Sequence, residues 1–251
     1  MTGAAHKTVL VTGASSGIGA AIARRAAKDG WRVLAGYATG RDRAAGVVAE
    51  IGAQGGTAVP IHLPLQDPAA VAVTIETLVA DKLQPEALVL NASPRLTTGP
   101  FTKVTADEFR RQLDVAIVGN HALIAGLWKH CFRKQRQGHI VALLTSALGP
   151  PPTPQMTPYI VAKAGLRALL QCACAEFGRA GLRVSTLSPG FTETPMLDEF
   201  SDLLLEMARS QTENGRFLDP DEVAAAVVDA LAAPPSAGEI VEIPIRMGCK
   251  Q

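Results

Sequence analysis

This sequence has no charge excess of either sign. Lys and Arg total 24 against 23 Asp and Glu over 251 residues. That balance gives neither the basic footprint of a nucleic-acid binder nor the field that would recruit a strongly charged partner. Cysteine is scarce: Cys131, Cys172, Cys174 and Cys249 show no zinc-type spacing and no framework of a small secreted domain. Cys172 and Cys174 stand two apart on an expected helix, so their side chains point to different faces. All four read as reduced thiols of a cytoplasmic protein. The histidines, His6, His62, His121, His130 and His139, have no metal-ligand spacing, and no metal is expected. Aromatic residues are only 4% of the chain. The longest nearly uncharged run, 115–128, carries Asn120 and His121 and is too short to span a bilayer. A strand is expected by Thr8, which leaves no room for a signal peptide.

What is present is a regular alternation. Short apolar runs at 7–12, 32–36, 58–63, 87–90, 140–144, 183–187 and 239–243 read as strands. Between them, 17–29, 41–51, 68–82, 105–135, 158–179 and 220–232 read as helices, the fourth opened by a Thr105-x-x-Glu108 capping box. Strands apolar on both sides, alternating with helices, are those of a parallel sheet. The expected fold is α/β: one domain over 1–251, a three-layer, Rossmann-type doubly wound parallel sheet of about seven strands with helices on both faces. Such sheets bind ligands at the carboxyl ends of the strands near the switch point. Functional residues are therefore expected just after the first, fourth, fifth and sixth strands.

The first of these places carries a Gly-rich turn, 12–19, reading Thr-Gly-Ala-Ser-Ser-Gly-Ile-Gly. Gly13, Ser15, Ser16, Gly17, Ile18 and Gly19 would let the backbone and a helix N-terminus approach a pyrophosphate. The second strand ends near Tyr37, where an NAD-preferring fold usually has an acid. Tyr37, Thr39, Arg41 and the nearby Arg43 favour the 2′-phosphate of NADP(H) over NAD(H). The plainer alternative makes Arg41 and Arg43 solvated charges on a helix face.

Tyr159 and Lys163 are four apart near the start of a helix and share one face. A nearby ammonium favours the phenolate, so Lys163 is expected to lower the pKa of Tyr159. The pair then becomes a proton donor to a carbonyl oxygen receiving hydride. Ser146, thirteen residues upstream of Tyr159 at a strand end, could hydrogen-bond that oxygen. Thr145 offers a second hydroxyl, while the spacing to Tyr159 and the following Gly149 favour Ser146.

On the 12–19 loop, Asn91-Ala92, Ser146, Tyr159-Ile160-Val161-Ala162-Lys163-Ala164-Gly165 and Ser188-Pro189-Gly190-Phe191-Thr192-Glu193-Thr194, nearly the whole chain resembles the short-chain dehydrogenase/reductase family, especially its 3-oxoacyl-(acyl carrier protein) reductases. The resemblance implies that Tyr159 is the acid–base, that Lys163 also holds the nicotinamide ribose, and that Ser146 orients the substrate. Asn91 and Ala92 would border the adenine-side ribose and the central strands. Pro189, Gly190 and Thr192 would bracket the nicotinamide, and Thr194 would contact its carboxamide or the pyrophosphate. Segment 196–216 would be a lid over the substrate. Three departures stand out. Ser93 replaces a glycine, and Pro64 replaces an adenine-contacting acid, leaving the backbone of Leu65 for that role. Ala116 replaces the asparagine that anchors a relay water, with the Ala116 carbonyl or Asn120 as substitutes.

The resemblance implies an NADP(H)-dependent reductase of a ketone or a 3-oxoacyl thioester, free or carrier-bound, assembled as a homotetramer or homodimer. Two rivals are an NAD-dependent alcohol dehydrogenase of the same family and a non-catalytic dinucleotide-binding sensor or scaffold. The apolar lid residues Leu197, Phe200, Leu203, Leu204, Leu205 and Met207 fit a hydrophobic substrate or a subunit contact. Lys129, Arg133, Lys134, Arg136 and Arg179 read as a solvated face, or as a docking patch for an acidic carrier or coenzyme A.

Overall fold

The computed structural model describes residues 7–210, 212 and 214–245. His6 and Cys249 lie outside the described residues, as do positions 211 and 213 of the expected lid. Seven strands form one sheet: β1 (Thr8–Val11), β2 (Arg32–Tyr37), β3 (Thr57–His62), β4 (Ala87–Leu90), β5 (Gly138–Leu143), β6 (Leu182–Ser188) and β7 (Ile240–Pro244). Their order is β3-β2-β1-β4-β5-β6-β7, and every pairing is parallel. The order reverses between β1 and β4, which opens a crevice at their carboxyl ends.

Alternate side chains of one strand feed two cores. Val9 and Val11 of β1, with Val33 and Ala35 of β2, pack under the Ala-rich helix Gly17–Lys28 and the helix Pro220–Ala232. Leu10, Leu34, Leu88 and Leu90 face the other way, toward helices Pro68–Ala80, 106–135 and Thr157–Phe177. Each such fully buried side chain contributes roughly 1.5–3 kcal/mol relative to exposure. The strict alternation therefore fixes register strongly, since a one-residue slip would exchange the two cores.

The long helix starts where the sequence places it. Thr105 Oγ1 accepts from the backbone N–H of Glu108 at 3.3 Å, and the Glu108 carboxylate accepts from the Thr105 N–H at 2.6 Å. Its interior was not foreseen: Asp114–Gly119 and Trp128–Phe132 form wider π-type turns. Gly119 lies on the first of these, and a Cβ there would overlap the Leu65 carbonyl. The absent side chain is what lets the helix press against the loop after β3. No helix among the described residues is long and apolar enough to cross a membrane.

Candidate active site

Thr12 follows β1 and acts as a bracket. Its hydroxyl donates to the Val89 carbonyl at 3.1 Å and accepts from the backbone N–H groups of Asn91 and Ala92, both at 3.0 Å. Asn91 Nδ2 then donates to the carbonyls of Thr12 at 2.9 Å and Gly13 at 3.3 Å. The Gly-rich turn is thus fastened to the end of β4 before any ligand arrives. Gly13 and Gly17 are left-handed, with φ of 68° and 52°. A Cβ at position 19 would overlap the Gly13 carbonyl oxygen. Ser16 precedes the helix in an extended conformation, its side chain makes no cap hydrogen bond, and the first turn carries no acid. That N-terminus is therefore open to an anion. The whole cradle fits a dinucleotide pyrophosphate, and Gly13, Ser15, Ser16, Gly17, Ile18 and Gly19 are the residues that could hold one.

At the far end of the cradle, Tyr37 packs obliquely on His62, with ring centroids 5.5 Å apart. Thr39 and Arg41 are exposed beside it. Gly40 is left-handed at φ 76°, and the Arg43 guanidinium folds directly over it. Arg43, more than Arg41, is the cation the structure holds at this corner. The Leu65 side chain is buried, and its carbonyl faces Gly119. Thr194 reaches back to the loop, its Cγ2 lying 3.3 Å from where a Gly17 Cβ would stand. Thr192 is buried and its hydroxyl donates to the Gly190 carbonyl at 3.0 Å, which shapes the turn after β6.

Between these arms lies a cavity whose walls come from the loops after β1, β4, β5 and β6. Ile18, Asn91, Ser146, Tyr159, Lys163 and Gly190 are among its lining residues, as the position of the switch point demands. Pro189, Thr192 and Thr194 complete the β6 side. Ser146 sits at the start of a short 3-10 turn, Ser146–Leu148, and its N–H donates to the Pro189 carbonyl at 2.9 Å. Its side chain is open to the cleft.

Lys163 is buried, and its ammonium donates to the Leu143 carbonyl of β5 at 2.7 Å. The same nitrogen lies 5.6 Å from the ring centroid of Tyr159. One helical face therefore brings phenol and ammonium together, as the four-residue spacing requires. The proton affinity of the phenol differs from the sequence expectation. Burial pushes the Tyr159 phenol up to about 12, with a side-chain hydrogen bond to Thr145 acting the other way. Burial also holds the Lys163 ammonium down, at about 8. At the phenol, desolvation outweighs the Thr145 hydrogen bond.

Sequence reasoning misses the role of Thr12 and leaves those of Thr145 and Ala116 open. Thr12 was read only as part of a turn, because its partners are 77 to 80 residues away. Thr145 is buried, accepts from the Ala147 N–H at 3.2 Å and bonds Tyr159, so two hydroxyls rather than one adjoin the phenol side. Ala116 does not offer a bare carbonyl: Asn120 Nδ2 donates to it at 3.2 Å. The Asn120 Oδ1 is left buried without a hydrogen-bond partner. The expected lid is the 3-10 turn Pro195–Glu199 and the helix Asp202–Ser210. Met196, Leu197 and Phe200 face the cavity, while Leu203 and Met207 are exposed.

Comparison with known proteins agrees with this geometry. The short chain dehydrogenase family model matches residues 7–203. The 3-oxoacyl-(acyl-carrier-protein) reductase FabG of Staphylococcus aureus is 31% identical over 87% of this chain and 87% of its own. The cis-4-hydroxycyclohexanecarboxylate dehydrogenase of Sinomonas cyclohexanicum is 30% identical over 89% of this chain and 88% of its own. A short chain dehydrogenase from Burkholderia cenocepacia, solved in complex with NADP, superposes with a TM-score of 0.81 at 29% identity, covering 96% of this chain and 97% of its own. With its parallel sheet, its Gly-rich cradle and its Tyr–Lys pair in the cleft, this chain belongs to the short-chain dehydrogenase/reductase family of oxidoreductases.

Proposed function

We propose that the protein is an NADP(H)-dependent reductase that converts a ketone, or the ketone of a 3-oxoacyl thioester, to an alcohol. The observation that carries this reading is the placement of Tyr159, Lys163 and Ser146 in one cavity at the carboxyl end of β5, beside a cradle fit for a dinucleotide. When bound, the reduced nicotinamide supplies the hydride that adds to the carbonyl carbon. Tyr159 gives its phenolic proton to the carbonyl oxygen, so one O–H bond breaks and the alcohol O–H forms. The ammonium of Lys163 steadies the phenolate left behind until solvent returns the proton. Ser146, facing the open cleft, donates a hydrogen bond to the oxygen as charge develops on it. Thr145 bonds the phenol from the buried side and fixes its direction.

Arg43 over Gly40, with no acid at Tyr37 or Thr39, supports the 2′-phosphate of NADP(H). Segment 196–216 acts as the lid. The same reading carries a homotetramer or homodimer built on the two long helices, where Val118 and Val161 are 46% and 43% exposed. Lys129, Arg133, Lys134 and Arg136 are exposed at the end of one of them and form the surface on which an acidic carrier or coenzyme A would dock. The Sinomonas relative is named for a hydroxycyclohexanecarboxylate, which adds small cyclic ketones to the screen. The test is NADPH and NADH oxidation by purified protein across simple ketones, cyclic ketones and 3-oxoacyl thioesters. The reading requires turnover on at least one class, with NADPH the tighter cofactor. It fails if no class is reduced.

A further inference from the structure

Beyond the reaction cavity lies a second one, and the two share the wall residue Leu96. The outer cavity is lined by Arg95, Leu96, Thr97, Thr98, Arg111 and Glu199. It has about 460 Å³ of free room against about 130 Å³ inside. The inner chamber is walled by Leu143, Met156, Met196, Leu197 and Phe200 around the Tyr159 hydroxyl. The outer one presents two guanidinium groups and two threonines. Arg95 is ion-paired with Glu199, and the Thr98 hydroxyl donates to the Glu199 carbonyl at 3.1 Å. Arg111 has no ion pair among the described residues, although its charge acts on the Glu108 carboxylate one turn back, whereas its neighbour Arg110 is held by Asp107 at 2.7 Å.

We infer that the outer cavity binds an anionic group on the far end of the substrate, gripped by Arg95 and Arg111 in exchange for Glu199. This rests on the reductase reading of the inner cavity and adds its substrate class: a ketone with a negatively charged tail. Three observations carry it. The Arg95 side chain is 82% exposed against 19% for Glu199, so the pair is open to solvent from its cationic side. A carboxylate or phosphate can take that place with bidentate geometry. Arg111 meanwhile leaves the outer cavity one cation that Glu199 does not neutralise. Glu199 ends the 3-10 turn that begins the lid, and Arg95 lies on the loop after β4. The exchange would therefore unfasten the lid from that loop as the charged tail enters.

The anion can be the carboxylate of a small oxo acid or the phosphate of a phosphopantetheine thioester, and the experiment separates them. Two matched sets compare a charged with a neutral tail on the same ketone: 4-oxopentanoate, 5-oxohexanoate and 7-oxooctanoate against their methyl esters, and 3-oxobutanoyl-pantetheine against its 4′-phosphate. The readouts are kcat/KM with NADPH and, independently of turnover, calorimetric affinity for the same molecules. The wild type should prefer the charged member of at least one set by tenfold or more. In Arg95→Ala/Arg111→Ala that charged-to-neutral ratio should fall to near one, and Glu199→Gln should raise it. Preference for the acid in one set or the phosphate in the other names the source. If the ratio is near one in the wild type, or is unmoved by the double variant in both readouts, the inference is wrong. Absence of turnover with a charge preference kept in calorimetry would overturn the reductase reading alone.

Discussion

The cofactor cradle and the substrate mouth are built on opposite plans. In the cradle, one hydroxyl and one amide, Thr12 and Asn91, tie the Gly-rich turn to β4 through buried or half-buried hydrogen bonds. Glycines at 13, 17 and 19 allow the turn a close-packed shape that has no room for a Cβ. In the mouth, the lid meets the loop after β4 through a solvated ion pair and a threonine hydroxyl, and Leu203 is 67% exposed. The first arrangement is preorganised and the second is adjustable. That suits a site whose invariant task is to hold one cofactor and whose variable task is to choose a substrate.

Changes in the cradle should therefore be costly, and changes in the mouth cheap. The largest effect is expected for Gly19→Ala, because the overlapping neighbour is a backbone carbonyl that cannot rotate away. It should destabilise the protein by about 3 kcal/mol or more and weaken NADP(H) binding by about 100-fold. Thermal unfolding and cofactor fluorescence titration measure the two, and a well-folded, cofactor-binding variant would break the comparison.

The sheet beneath both regions supplies a control. His139 is buried on β5, with a ring nitrogen 3.0 Å from the Ser185 hydroxyl. Burial is the main cause that drops its pKa from 6.5 to about 4, with Arg183 adding to it. The folded state therefore resists a proton that the unfolded state accepts. Stability is whole above pH 6.5 and is lost as pH falls toward about 4, by about 3 kcal/mol. Denaturant melts from pH 7 to 4 should show that loss, and His139→Gln should show much less of it.

Thr12→Val keeps the shape of the side chain and removes its hydroxyl, leaving the Asn91 and Ala92 N–H groups without their acceptor. A cost of about 1–3 kcal/mol is expected, with roughly tenfold weaker cofactor binding. Both are read by the same melts and titrations. The smallest effect belongs to the mouth: Leu203→Ser should stay within about 0.5 kcal/mol of wild type. A loss as large as that of Thr12→Val would mean the lid is as firmly set as the cradle.

Much of this was legible in the sequence because it is local. The Gly-rich turn, the Thr105 capping box and the Tyr159–Lys163 spacing all act within a few residues, and the strand pattern gave all seven strands to within about two residues. What escaped is non-local or collective. The partners of Thr12 lie on another strand, and the Arg95–Glu199 pair joins two distant loops. The π-type turns over Asp114–Gly119 arise where Gly119 packs on Leu65, a contact no helix periodicity encodes. The proton affinity of Tyr159 departs from the expectation for a related reason. Spacing shows that two groups meet but not how deeply they are buried, and burial decided the outcome.

The most direct test compares wild type with Tyr159→Phe in single-turnover NADPH oxidation on the best ketone, with cofactor affinity measured on the same samples. If the phenol of Tyr159 is the proton donor, the chemical step should slow by about 100-fold or more while NADPH affinity stays within about twofold. A Tyr159→Phe protein that reduces the ketone at the wild-type rate would contradict that assignment.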